Sequence, residues 1–87
     1  ERLEEATVLI EKAYRLKPDE PSIIDSMGWA MFKKGDVEAA RNYLEQAIEL
    51  QPADPTINEH LGDVYWELGR KAEARYQWEK ALSYAPE

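Results

Sequence analysis

The stretch PSIIDSMGWAMFKKGDVEAARNYLEQAIELQPAD, residues 21–54, decides the fold because an altered copy of it follows at once. Shifting the sequence by 34 positions, the separation of Pro21 and Pro55, superimposes identical residues of the two copies. The superimposed pairs are Pro21 and Pro55, Ile23 and Ile57, Gly28 and Gly62, Gly35 and Gly69, Ala40 and Ala74, Arg41 and Arg75, Glu45 and Glu79, Ala47 and Ala81, and Pro52 and Pro86. Small, apolar and helix-ending residues thus recur at fixed spacing, which predicts stacked helical hairpins.

A third, partial copy opens the chain. The same shift places Ala6, Glu11, Ala13, Leu16 and Pro18 on Ala40, Glu45, Ala47, Leu50 and Pro52. We therefore predict one repeat domain at residues 1–87, made of the second helix of a truncated repeat at 1–20 and full repeats at 21–54 and 55–87. Because Glu1 falls inside a predicted helix and no initiator methionine precedes it, we expect this chain to be a fragment of a longer protein.

The repeated unit resembles the tetratricopeptide repeat (TPR), a helix, turn, helix module of the same period. In that family a bulky residue, a Leu-Gly pair and a Tyr recur on the first helix, and Ala, an aromatic residue, Ala and Pro recur on the second. The corresponding residues are Ile24, Met27-Gly28, Met31, Ala40, Leu44, Ala47 and Pro52 in one copy, and Asn58, Leu61-Gly62, Tyr65, Ala74, Trp78, Ala81 and Pro86 in the next. The resemblance implies an all-α fold, a right-handed α-solenoid of antiparallel helix pairs with about two and a half repeats and five helices. Asn58 departs from the pattern, and we expect a looser contact with the preceding hairpin there.

A more local resemblance concerns D-S-M-G-W at Trp29 and H-L-G-D-V-Y-W with the later Trp78. These stretches are similar to the closing repeats of certain bacterial TPR proteins, some of which are envelope lipoproteins that scaffold periplasmic enzymes. The resemblance implies the C-terminal part of a bacterial adaptor, and it supplies no reaction. The compartment stays open, since bacterial cytoplasm and periplasm both fit.

Apolar periodicity and turn residues predict where the helices lie. The predicted ranges are residues 2–17, about 22–34, 37–50, about 56–68 and 71–84. Gly35 can take the left-handed conformation that ends a helix, and Asp36 can accept hydrogen bonds from the first free amides of the next one. Prolines at 18, 21, 52 and 55 mark the breaks between repeats, because the residue before a proline is disfavoured in a helix.

Composition excludes several function classes. The chain has 18 acidic and 11 basic residues and a formal net charge of −7. This balance argues against binding to nucleic acid, which requires Lys and Arg at phosphates, and against an anionic membrane surface. No apolar run approaches the roughly 18 residues needed to span a bilayer. The absence of cysteine excludes disulfides and thiolate metal sites, and nothing indicates a cofactor.

The family resemblance implies that the first helix of each repeat lines the concave face of the solenoid. Outward positions of these helices are Ser22, Asp25, Trp29, Phe32 and Lys33, and then Thr56, Glu59, Asp63, Trp66 and Glu67. The predicted partner-binding residues are Asp25, Trp29, Phe32, Lys33, Glu59, Asp63 and Trp66. This aromatic and acidic groove favours a protein or peptide partner with apolar and basic side chains. It argues against the grip on C-terminal carboxylates that some family members achieve with Lys and Asn, because like charges would face each other.

Alternative interpretations of these residues stay open. Phe32 and Trp66 lie where the family commonly packs an aromatic residue, which favours a structural role. Trp29 lies at a position that is usually polar, so it is either a recognition anchor or the cover of an interface with the rest of the parent protein. The acidic residues are either ligand contacts or simply a solvated face.

His60, the only histidine, lies on one helical face with Asp63 and Glu67, a spacing that could in principle hold a cation. Metal sites normally draw ligands from several elements, and no second histidine or cysteine exists, so we predict no metal site. Catalytic residues are not predicted either, because the sequence has no set of nucleophile, base and orienting group and no phosphate-binding loop. Glu59 and Asp63 are neighbours on an exposed helix without a cleft, which does not make an acid and base pair. The sequence therefore predicts an interaction scaffold or adaptor and not an enzyme.

The alternative function is structural: an end piece or self-association module of a longer solenoid with no ligand of its own. About three repeats and polar capping elements are usually needed for independent stability. We expect Leu9 or Ile10 on the first helix, and Tyr76 and Tyr84 on the last, to remain uncovered. Such uncovered ends predict either homo-oligomer formation or stabilisation by the rest of the parent protein.

Overall fold

The computed structural model describes residues 2–86 as a succession of α-helices, and no strand occurs among these residues. The helices are α1 (Arg2–Leu16), α2 (Pro21–Lys33), α3 (Val37–Leu50), α4 (Pro55–Glu67) and α5 (Lys71–Tyr84). The all-α prediction is confirmed, with α3 and α5 at the predicted residues. The outer limits predicted for the domain, residues 1 and 87, lie outside the described range, and its division into repeats stays a prediction.

The helix ends follow from capping chemistry. Helices α2 and α4 begin at Pro21 and Pro55, slightly before the predicted starts, because proline fits the first helical turn, where its missing N–H costs nothing. The Asp36 carboxylate accepts a hydrogen bond from the Ala39 amide at 3.2 Å, as predicted. Between the helices of each hairpin, Gly35 and Gly69 take left-handed φ values of 89° and 79°, which an L side chain would strain.

The buried core forms two clusters at the contacts between successive helices. One joins α3, α4 and α5 and consists of Ala40, Leu44, Leu61, Val64, Tyr65 and Ala74; the other joins α2, α3 and α4 and consists of Ile24, Ala47 and Ile57. Small residues allow the close approach: a Cβ added at Gly28 would lie 2.7 Å from Leu44 Cγ, so α2 could not approach α3 in this way with any larger residue. A Cβ added at Gly62, at the equivalent position of the next repeat, would lie similarly close to Trp78 of α5, so the two helices of each hairpin pack closely at a glycine.

A polar network crosses from α3 to α4. The Tyr65 hydroxyl donates a 2.6 Å hydrogen bond to Glu45 Oε2, and Arg41 Nη1 donates to the other carboxylate oxygen at 3.1 Å. Tyr65 is only 7% exposed. Burial, and then the hydrogen bond to the Glu45 carboxylate, raise the pKa of Tyr65 above its ordinary value. The hydrogen bond of the neutral phenol therefore links α4 of the second hairpin to α3 of the first.

Asn58, the residue that departs from the family pattern, is 2% exposed. Its amide nitrogen donates to the backbone oxygens of Pro52 at 3.1 Å and Asp54 at 2.8 Å. Where the family packs a bulky apolar residue, Asn58 thus makes two hydrogen bonds to the backbone of the loop that precedes α4.

Large apolar side chains remain exposed on the two outermost helices. On α1, Leu9 is 66% exposed and Leu16 82%, whereas Ile10 is half-buried. The outer face of α5 exposes Tyr76 and Tyr84, as the sequence predicts. Among the described residues, no helix combines the length and apolar character that crossing a membrane requires.

Candidate functional site

Trp29, on the outward face of α2, lies between two other rings. Its indole stacks on the imidazole of His60 in α4, with centroids 4.0 Å apart and planes 15° apart. Its other neighbour is Phe32, at 5.0 Å and 24°. The Nζ atom of Lys33 lies 5.2 Å from the indole centroid, within the range of a cation–π contact. Trp29 is therefore a packing residue within this chain, a role that does not prevent its exposed edge from contacting a partner.

A hydrogen bond fixes the imidazole under Trp29. His60 Nδ1 lies 2.9 Å from Asp25 Oδ1, so the imidazole N–H donates to the carboxylate. Both side chains are largely covered, with 19% of His60 and 13% of Asp25 exposed. Because Asp25 belongs to α2 and His60 to α4, this contact and the Trp29 stack join the first helices of two successive repeats.

A second aromatic group lies on α4 and α5. Trp66 is 40% exposed, and its ring centroid lies 5.4 Å from that of Trp78. Trp78 Nε1 donates a 3.0 Å hydrogen bond to Asp63 Oδ1, which holds the α5 indole against α4. Lys71 Nζ lies 3.6 Å from the Trp66 centroid, so one face of this exposed ring already holds a cation.

Phe32 connects the two groups. Besides stacking on Trp29, it lines an open cavity of about 230 Å³ with Asp63, Trp66, Glu67 and Trp78. We call Trp29, Phe32 and Trp66 the aromatic row. The row is continuous along the face formed by α2 and α4, with carboxylates at the edge of its cavity.

Most of the seven predicted contact residues lie along this row. Phe32 and Lys33 contact Trp29, which stacks on the His60 ring that Asp25 holds, and Asp63 and Trp66 contact Trp78. Glu59 belongs to neither group: it is exposed and lines a separate groove between α4 and α5.

Sequence reasoning missed three contributors to the site, namely His60 as the partner of Asp25, Trp78 as the partner of Asp63, and Lys71 over Trp66. The repeat itself held one usable signal. Glu59 is the repeat equivalent of Asp25, because the two are 34 positions apart, and His60 is the residue after Glu59. In this structure those two positions of α2 and α4 are in contact, so the repeat register indicates the pair once the stacking of α4 on α2 is known.

Comparison with known families agrees with this architecture. A family model described as tetratricopeptide repeat matches residues 26–86. The chain belongs to the tetratricopeptide repeat family. The TPR fold is generally a protein–protein interaction module, and its members are typically scaffolds without enzymatic activity.

Individual relatives support the same assignment. The TPR repeat-containing protein PA4667 of Pseudomonas aeruginosa is 48% identical over 42 residues, which are 48% of this chain and 7% of that protein. The crystal structure of TTC0263, a thermophilic TPR protein of Thermus thermophilus, is 32% identical with a TM-score of 0.85, covering 98% of this chain and 43% of that one. A crystal structure of MamA has a TM-score of 0.82 over 97% of this chain and 49% of its own, and at 20% identity it shows the fold alone. This chain thus spans less than half the length of these relatives, and the predicted α-solenoid is confirmed.

Some of the acidic side chains on the face formed by α2 and α4 already have partners within the chain. Two of its carboxylates, Asp25 and Asp63, accept hydrogen bonds from within the chain, while Glu67 remains exposed. Two lysines, Lys33 and Lys71, lie beside the indoles of the row. The face formed by α2 and α4 therefore consists mainly of aromatic side chains, with charged side chains beside them.

His60 and Asp63, which share a helical face with Glu67, contact other residues of the chain. His60 Nδ1 faces Asp25 on another helix, and Asp63 accepts from Trp78. Between Arg2 and Pro86, no group of three or more His, Asp or Glu side chains is arranged to hold a metal ion.

Proposed function

We propose that this TPR chain is a scaffold or adaptor module that binds a peptide or protein segment along the aromatic row on its concave face. The observation that carries the proposal is the open cavity between Phe32, Trp66 and Trp78, with Asp63 and Glu67 at its edge. Exposed tryptophan beside an apolar cavity is typical of positions that dominate binding energy.

The cavity favours a segment with apolar and basic character. Its walls are aromatic, so they suit an apolar side chain or the methylene stem of Lys or Arg. The charge of such a side chain would reach Glu67, which is exposed at the rim. The Lys71 ammonium, at 3.6 Å from the Trp66 centroid, shows that this ring accommodates a cation.

Of the other predicted residues, some position the aromatic rings and others contact the bound segment. Asp25 holds His60, and His60 supports the indole of Trp29 from below. The role we assign to Asp25 is therefore to position the row, while Trp29 and Lys33 contact the far end of the bound segment. Asp63 similarly positions Trp78 at the cavity wall.

A selection from a random peptide library displayed on phage tests the proposal, with the full chain as bait. We expect recovered peptides to be rich in apolar residues and in Lys or Arg. Binding should weaken by about tenfold or more in Trp66→Ala, as for a residue at a binding hot spot. Tyr76→Ala is the matched control, since it removes an exposed aromatic ring from the outer face of α5.

Two results would overturn the proposal. One is a library that yields no peptide above background on the wild-type chain. The other is a set of peptides that bind Trp66→Ala and the wild type equally well, with circular dichroism showing that the variant is folded.

A second candidate function is an end piece that self-associates and has no ligand of its own. The observation in its favour is the exposure of Leu9 and Leu16 on α1, at 66% and 82%. Light scattering over a range of concentrations distinguishes the two. Self-association that Leu9→Glu abolishes, together with failure of the peptide selection, would favour the structural role.

A further inference from the structure

A groove separate from the aromatic row lies between the start of α4 and the end of α5. It encloses about 470 Å³. Its main lining residues are Thr56, Glu59, Trp78, Ala81, Leu82 and Pro86. We call it the C-terminal groove. Its floor is apolar, Leu82 is 79% exposed beside it, and Glu59 supplies a carboxylate at its edge.

The repeat shows what normally covers such a surface. Subtracting 34 from the six lining positions gives Ser22, Asp25, Leu44, Ala47, Ile48 and Pro52. In this chain the surface formed by these residues is occupied by α4. Ala47 packs with Ile57, Asp25 bonds to His60 at 2.9 Å, and the Pro52 carbonyl accepts from Asn58 at 3.1 Å.

The difference in burial follows from that occupation. Leu44 and Ala47 are 0% exposed beneath α4, whereas their equivalents Trp78 and Ala81 are only half-buried. Ile48 is half-buried, and its equivalent Leu82 is almost fully exposed. The C-terminal groove is therefore a copy of a helix-binding surface whose helix is not among residues 2–86.

We propose that the C-terminal groove binds one amphipathic, basic helix of a partner protein, seated as α4 is seated on α2 and α3. The pattern of α4 sets the requirements. Apolar residues are needed at the positions of Ile57 and Leu61, which are 2% and 1% exposed in their own contact. At the position that corresponds to His60, the partner helix needs a Lys, Arg or His. That side chain would contact Glu59 in the same way as His60 contacts Asp25 in this chain.

Charge argues for a separate partner in preference to a second copy. The chain has a net charge of −7, so the groove attracts a basic helix more strongly than it attracts a second acidic copy. The α2 helix of a second copy would bring Ser26 to the position of His60 and would leave Glu59 without a cation. The groove shares only Trp78 with the cavity beside the aromatic row, and the inference does not depend on the function proposed above.

The experiment uses a fluorescent synthetic peptide with an alanine and lysine frame and Ile, Arg and Leu at the spacing of Ile57, His60 and Leu61. A matched peptide replaces that Arg by Glu. Fluorescence anisotropy with the full chain should show binding of the Arg peptide, weakened by about tenfold or more in Leu82→Glu, because that change places a charge on the apolar floor. Leu82 is so exposed that its replacement should leave the fold intact. Tyr76→Ala, on the outer face of α5, should bind as the wild type does.

A charge exchange makes the test specific. In Glu59→Lys the preference should reverse, so that the Glu peptide binds more tightly than the Arg peptide. Equal binding of both peptides to wild type and Glu59→Lys would overturn the proposal, as would no binding of the Arg peptide. Dimers that dissociate in Leu82→Glu would also overturn it, since they would show that a second copy covers the groove. Peptides selected on the aromatic row should still bind Leu82→Glu, which separates failure of one proposal from failure of the other.

Discussion

The indole of Trp29 lies almost flat on the imidazole of His60, with 4.0 Å between the ring centroids. One ring belongs to α2 and the other to α4, so the stack joins two repeats at the face that we propose for binding. The Asp25 carboxylate holds the imidazole in place from α2. The same cluster thus contributes to the stability of the fold and lies on the surface that we propose for binding. Experiments can distinguish these two roles.

The first prediction concerns that stack. Trp29→Ala and His60→Ala should each lower the free energy of unfolding, and a double-mutant cycle should give a coupling of about 0.5–1.5 kcal/mol, as for other aromatic pairs. Urea unfolding followed by circular dichroism provides the measurement. The pair Trp29→Ala with Tyr76→Ala, which do not touch, should be additive, and additivity in the Trp29 and His60 pair would contradict the assigned contact.

The second prediction concerns Tyr65, whose pKa is raised by burial and by its hydrogen bond to Glu45. A raised folded-state pKa means that the phenol stabilises the fold fully below its unfolded value of about 10 and loses this effect as pH rises through the folded-state value. Tyr65→Phe should therefore cost about 0.5–1.5 kcal/mol at neutral pH. The difference from wild type should shrink above about pH 10. A difference that stays constant into the alkaline range would disprove this linkage, and Tyr76→Phe serves as the control.

The third prediction compares two glycines. A Cβ at Gly62 would collide with the Trp78 indole, so Gly62→Ala should displace that ring and cost about 1–3 kcal/mol. Gly69 has φ 79° and open space around it, so Gly69→Ala should cost about 1–2 kcal/mol through backbone strain alone. Near-ultraviolet circular dichroism should change for Gly62→Ala and not for Gly69→Ala. Unchanged tryptophan signals in both variants would show that the indole does not pack on Gly62.

The fourth prediction rests on the proposed binding of basic segments. Lys71 occupies one face of Trp66, so Lys71→Ala should free that face and remove a repelling charge. Affinity for the selected basic peptides should rise by about two- to fivefold, the scale of an exposed cation–π contact. Isothermal titration calorimetry measures the change, with Lys80→Ala on α5 as the control. Weaker binding by Lys71→Ala would mean that the lysine contacts the ligand directly.

Much of the fold could be predicted because it depends on short-range chemistry repeated at one period. Proline and glycine mark the breaks between α2 and α5, and Asp36 and Asp54 cap α3 and α4. The small residues Gly28 and Gly62 determine how closely the two helices of each hairpin pack. The exposure of Tyr76 and Tyr84 could also be predicted, because α5 is the last helix of the predicted repeats and no further helix is predicted to cover its outer face. Local rules suffice for these features, since each depends on a few neighbouring residues.

The candidate site could be predicted only as a set of positions. Whether a carboxylate is free or bonded depends on contacts between helices, and those require three-dimensional register. Asp25 and Asp63 are predicted contact residues, and the structure adds that each accepts a hydrogen bond from a ring on another helix. For Trp29 the sequence leaves a partner and the parent protein open, and the structure adds a contact with His60 of this chain.

The proposed function is tested most directly by the indole N–H resonances of the three tryptophans in a ¹H–¹⁵N correlation spectrum. Each resonance is assigned through its Trp→Phe variant, and a peptide selected on the wild-type chain is then titrated in. The Trp66 resonance should move most, followed by that of Trp29, while backbone signals on the outer face of α5 should stay in place. Resonances of Trp29 and Trp66 that do not move, while signals of α1 or the outer face of α5 shift on binding, would contradict the proposed function.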